Sequence, residues 1–215
     1  MPPLRLWHIY WIVTLQQELM QILAEAESLF GPRDRSYEIL EPEICDTDHT
    51  HGEYVQRKKI KLYLSRRSAD NHYYTSYDLA HEAIHMLSPV FYGEATILEE
   101  GLATWFSHRY VKRVHAWNIE RSPDRKYDTA MRAAAVLMAK NESAIKELRA
   151  RQPVISKINA RLLVEVAGIE PRLVRFIAAD FETYGLKPVT WTEQLTRDAD
   201  IAFSCVLAVM GIYRR

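Results

Sequence analysis

Two histidines and a glutamate, His81-Glu82-Ala83-Ile84-His85, stand in a segment that reads as a helix buried on one side and open on the other. Laid over Ser76–Ser88, Ala80, Ala83, Ile84 and Leu87 gather on the buried side, opposite His81, Glu82 and His85. Thr75 with Asp78 reads as a capping box at its start, and Pro89 forces its end. Histidines one turn apart can bind a single tetrahedral metal ion without bending the backbone. Glu82 lies about 100° further round, next to the metal but not obliged to ligate it, where it can take a proton from water activated there. At this composition the pattern arises by chance on the order of 0.02 times in the chain, so two histidines and an acid on a merely solvated face is the lesser reading.

Before this helix the chain alternates. Leu6–Phe30 has Leu15, Leu19, Ile22, Leu23, Ala26 and Phe30 at helical spacing and stops at Gly31-Pro32. Tyr37–Leu40 is a short strand candidate. Lys59–Ser65, with Ile60, Leu62 and Leu64 on one face, is a half-buried strand. The polar stretch Asp46–Gly52 reads as a hairpin connection between them. Further helices are expected at Glu94–Val111, Tyr127–Lys140, Glu142–Arg151, Ser156–Ala167, Pro171–Tyr184 and Thr192–Met210, with Gly168, Gly185 and Gly211 marking ends. Strands early and helices late imply an α+β fold.

A metal site of this kind needs a third protein ligand, which leaves the fourth position for water. Leu98-Glu99-Glu100-Gly101-Leu102-Ala103 stands downstream in a helical segment. The histidine pentapeptide followed by this Glu-Gly segment resembles the zincin metallopeptidases of the gluzincin branch, which includes thermolysin-like and aminopeptidase-like enzymes. The resemblance covers about residues 58–130 by motif and implies that Glu100, directly before the glycine, is the third zinc ligand.

Glu99 and Glu94 are its rivals. On the helical wheel Glu100 shares a face with the small residues Ala103, Thr104 and Ser107, and Glu99 with Leu102, Phe106 and Tyr110. Glu99 is then a residue behind the ligands or at the surface. The metzincin extension is excluded, since its Gly and His positions hold Ser88 and Phe91. The aminopeptidase segment Gly-x-Met-Glu-Asn is absent, which leans toward cleavage within a chain.

The resemblance also implies a tyrosine at a helix start to stabilise the oxyanion. Tyr127-Asp128-Thr129-Ala130 has that form, with Ala130 in place of the usual Gly. Tyr127 as a packing aromatic is an equal reading, and His108, Tyr110 and His115 are alternative donors. In such enzymes an edge strand above the metal pairs with an extended substrate, and Lys59–Ser65 is placed for that role. Asp46, Asp48, His49 and His51 read as a solvated loop before a second metal site. Lys146–Arg149 reads as a solvated helix face, and Trp105 and Trp117 as core or rim.

Composition narrows the partners. With 28 basic and 28 acidic residues, the formal charge is zero, which gives no overall field toward nucleic acid or an acidic membrane. No apolar run of membrane-spanning length exists, and Leu4–Leu15 lacks the cleavage site of a signal peptide. Cys45 and Cys205 read as incidental thiols, so a cytoplasmic location is expected.

The expected architecture is a zincin-like catalytic domain over 1–150, with a small mixed sheet and an edge strand, and a helical subdomain over 151–215 packed on it. The expected function is a zinc-dependent metallopeptidase acting on peptide or protein. His81, His85 and Glu100 hold Zn2+, Glu82 is the general base and Tyr127 stabilises the oxyanion. The alternative is a zincin-fold module that binds zinc without hydrolysis and serves regulation or protein interaction.

Overall fold

The computed structural model describes residues 4–90, 93–119, 122, 124–169 and 171–182. Among them are eight α-helices and a four-stranded sheet, with the strands ahead of most of the helices. The expected helix Thr192–Met210, with Gly185 and Gly211, lies outside the described residues.

Helix α1 (Leu4–Phe30) buries the six apolar positions expected of it, Leu15, Leu19, Ile22, Leu23, Ala26 and Phe30, each 1% exposed or less. It ends at Gly31, whose φ of 93° is open to glycine at little cost, and Gly31 N–H returns to Glu27 O at 2.9 Å. Then come β1 (Glu38–Ile39), β2 (Glu43–Cys45), β3 (His51–Gln56) and β4 (Lys59–Ser65). β4 buries Ile60, Leu62 and Leu64, as its alternation requires.

Two expectations about the sheet are corrected. β4 pairs in parallel with β1 (Ile39↔Ile60) and β2 (Glu43↔Tyr63), and antiparallel with β3 (His51↔Tyr63, Tyr54↔Ile60). Ile60 and Tyr63 therefore have partners on both sides, so β4 is the central strand and β3 lies at the edge. Lys59–Ser65 cannot itself take a further strand along its length. The hairpin also falls later than Asp46–Gly52: it is the β3–β4 pair, turning at Arg57 and Lys58, the latter left-handed at φ 60°.

After the short α2 (Arg66–Ala69) comes α3 (His72–His85), which starts a turn earlier than the sequence suggests. Asn71 is the cap, accepting from Tyr73 N–H at 3.0 Å. Thr75 and Asp78 form no capping box. Thr75 is buried and donates to Ser68 O at 2.8 Å, while Asp78 Oδ2 accepts from Thr50 and Ser68 hydroxyls at 2.6 and 2.5 Å. These bonds tie α2 and the residue before β3 to α3.

Helix α4 (Ile97–His115) packs between α3 and α5 (Arg125–Lys140). Thr96 caps it, and its first turn carries Glu99 and Glu100, where acids suit the helix dipole. α5 is capped by Asp124, so Tyr127 is its third residue and not its first. Gly101 is fixed by packing. A Cβ there would lie 2.2 Å from Ala130 O, so only glycine allows α4 and α5 this close.

The rest comprises α6 (Ala144–Arg151), a 3-10 turn (Ile155–Lys157) at the start expected for the helix Ser156–Ala167, α7 (Ala160–Ala167) and α8 (Pro171–Ile177). The segment after α8 returns to the head of α4, with Ile97 N–H to Ala179 O at 2.9 Å and Phe181 N–H to Ala95 O at 3.0 Å. Arg149 also departs from expectation. Lys146 and Glu147 are exposed, but Arg149 is only 5% exposed and donates to five backbone carbonyls. No described helix is long and apolar enough to cross a membrane.

Candidate metal centre

Helices α3 and α4 run antiparallel, which sets the last two turns of α3 against the first two of α4. His81 and His85 then meet Glu100. One ligand atom from each of the three lies within 4.8 Å of the others, the only such group among the described residues. His81 Nε2 stands 3.3 Å from Glu100 Oε2, and His85 Nε2 stands 3.7 Å from Glu100 Oε1. Glu100 is 9% exposed, and its buried Oε2 has the His81 ring in ion-pair range at 3.3 Å but no well-formed hydrogen bond. A buried carboxylate oxygen left in that state is costly, and a cation shared with two imidazole nitrogens removes the cost. Two imidazoles and a carboxylate, all converging, fit Zn2+.

Glu99 is neither a ligand of that group nor a surface residue. It is 0% exposed, and its Oε1 meets His85 Nδ1 at 2.9 Å. An Nδ1–H donated to this carboxylate leaves Nε2 as the free lone pair facing Glu100, which is how a carboxylate behind a histidine fixes the ligating tautomer. Glu94 is exposed and outside the group.

Glu82 is half-buried beside the three. Its Oε2 accepts from the Gly52 N–H of β3 at 3.0 Å. Burial raises its carboxyl pKa, against the opposing pull of His85 and His81. Tyr127 packs edge-on to His81 at 5.8 Å between ring centroids, and its other side meets Phe181 at 5.0 Å. Burial, with Glu100 and Glu82 nearby, keeps its hydroxyl protonated well above the usual tyrosine range, so it is a donor at any ordinary pH.

Two of the alternative donors stand elsewhere. Tyr110 lies under Arg113, and His115 Nε2 meets Ser76 Oγ at 2.8 Å at the far end of α3. His108 faces Tyr77, one turn before His81, and its pKa is pushed down to about 4 by burial. The loop residues make no second group. Asp46 pairs with Arg66 at 2.5 Å, and His51 stacks on Tyr63.

In the metal-free protein burial would lower the His85 pKa, but the charges of Glu100, Glu99 and Glu82 outweigh it and raise it to about 10. His85 therefore carries a proton at pH 7 to 9, and metal binding has to displace it. About one proton released per zinc is expected in that window, with affinity rising roughly tenfold per pH unit up to about pH 10. Calorimetry in two buffers of different ionisation enthalpy measures the count. Zinc uptake without proton release contradicts a protonated His85.

Two features of the site escape the sequence. Gly52 belongs to an element without apolar alternation, and Phe181 is far along the chain from Tyr127. Comparison with protein-family models, curated proteins and solved structures returns no match.

Proposed function

We propose that the chain is a zinc-dependent metallopeptidase of the gluzincin type, built on a small zincin-like domain. The observation that carries this is the convergence of one ligand atom each from His81, His85 and Glu100, with Glu82 beside them. A zinc ion bound there supplies Lewis acidity, lowering the pKa of a coordinated water and polarising a carbonyl.

This chain's residues supply the remainder. Glu99 holds His85 in its ligating tautomer, and Gly101 lets α5 close on α4 so that Tyr127 reaches His81. Glu82 takes the proton from the attacking water and returns it to the leaving amine. Tyr127 donates to the oxygen that gains charge. β3, at the sheet edge next to Glu82, takes the substrate-pairing place expected of β4.

The test begins with metal content, by plasma mass spectrometry on protein purified without chelators or a histidine tag. Wild type is expected to hold near one zinc per chain, and Glu100→Ala to lose most of it. Full retention in Glu100→Ala moves the third ligand elsewhere. No zinc in wild type, even after addition, ends the peptidase reading. One zinc with no cleavage of unfolded protein libraries leaves the non-hydrolytic module.

A further inference from the structure

We propose that the main-chain N–H of Gly52 is the positioning group for the general base. It holds Glu82 Oε2 at the edge of the sheet and leaves Oε1 as the oxygen that takes the proton. This rests on the reading of Glu82 as general base.

Gly52 lies opposite Leu62 in the β3–β4 ladder, yet its N–H is aimed at Glu82 on α3, at 3.0 Å. That amide points off the edge, away from β4, and belongs to no ladder bond. A glutamate with one oxygen fixed by an N–H loses most of its rotational freedom about the terminal bond, and a hydrogen bond to an ionised acceptor is among the stronger ones. The other oxygen has no hydrogen-bond partner among the described residues.

The contact is held at two points. Thr50, two residues before Gly52, donates to Asp78 at 2.6 Å, and Asp78 is one turn before Glu82. Residues two apart on a strand and four apart on a helix are both neighbours along one line, about 6 Å apart. The Thr50–Asp78 bond therefore sets the register in which Gly52 meets Glu82. A second bond, Ser65 N–H to Thr50 Oγ1 at 3.1 Å, anchors that point to β4. The amide is what matters here, and not the missing side chain: a Cβ on residue 52 would stand 3.4 Å from Glu82 Oε2 and 3.9 Å from Ile60 Cγ2, which an alanine tolerates.

Gly52→Pro removes this donor and no ladder bond, and an edge strand tolerates proline. On the zinc-loaded full chain it is expected to lower kcat about 10- to 100-fold while KM stays within about twofold and zinc stays bound. Gly52→Ala, which keeps the N–H, is expected to stay within about threefold of wild type. Wild-type kcat in Gly52→Pro, or an equal loss in Gly52→Ala, overturns the inference.

Hydrogen exchange at the Gly52 amide gives a readout independent of turnover. It is expected to speed up at least about tenfold in Glu82→Ala, where the acceptor is gone. Equal exchange in the two proteins overturns the inference whatever the activity. If wild type cleaves no peptide while this amide is protected by Glu82, the peptidase reading has failed, and the positioning role falls with it.

Discussion

Replacing Glu82 with glutamine is expected to leave zinc near one per chain and to cut peptide hydrolysis by about 10²- to 10⁴-fold. The substitution is informative because it changes little else. Glutamine has the same shape, and its amide oxygen can still accept from Gly52 N–H, so β3 keeps its contact with α3. His81, His85 and Glu100 keep their positions, since Glu82 lies beside that group and outside it. What disappears is the ability to take a proton at neutral pH. In the metal-free protein the change also removes one of three crowded carboxylates, Glu82, Glu99 and Glu100, so the melting temperature is not expected to fall. Zinc content, thermal midpoint and turnover on a cleaved peptide measure the three separately. Full activity in Glu82→Gln on a true substrate would remove Glu82 from the proton transfer.

The legible parts of the fold are those where burial leaves a period in the sequence. α1 buries the six residues its spacing marks, and β4 has the bounds its alternation gives. The pairing of His81 and His85 is legible for a related reason, because a one-turn spacing has a single geometric outcome on a helix, whereas Glu100 beside them follows only from the resemblance. β3 is not legible. His-Gly-Glu-Tyr-Val-Gln is mostly exposed, and pairing with β4 alone makes it a strand. The capping box failed because Thr75 and Asp78 found tertiary partners in Ser68 and Thr50, and Asn71 was available a turn earlier. Tyr127 moved to the third position of its helix for a similar reason, since Asp124 caps better than any nearer residue. Glu99 is the instructive case. Its wheel position beside Leu102 and Phe106 points to burial, but nothing local says that a histidine fourteen residues earlier will receive the charge.

Arg149 carries the largest stability effect expected in the chain. Its guanidinium is buried without a carboxylate in hydrogen-bonding contact. Nη1 donates to Phe30 O and Gly31 O at 2.9 and 2.7 Å, Nη2 to Pro32 O and Leu87 O at 2.9 and 3.3 Å, and Nε to Pro153 O at 3.1 Å. The end of α1, the residues after α3 and the turn after α6 all meet on this one side chain. The carbonyls at a helix end have no partner within the helix, and the dipole there favours a cation. Arg149→Ala strands four carbonyls, since Leu87 O keeps the Asp34 N–H at 2.8 Å, and is expected to cost about 3–5 kcal/mol. In a chain of this size that is a fall of roughly 6–20 °C in melting temperature.

Arg149→Lys is expected to recover less than half of the loss, because an ammonium has three donors and cannot span five acceptors spread over three segments. Urea unfolding of both variants, followed by circular dichroism on the metal-free protein, separates this from any change in zinc binding. A loss below about 1 kcal/mol in Arg149→Ala would mean that water reaches these carbonyls and that the joint is held by the apolar packing of Phe30 on Trp105 and Phe106.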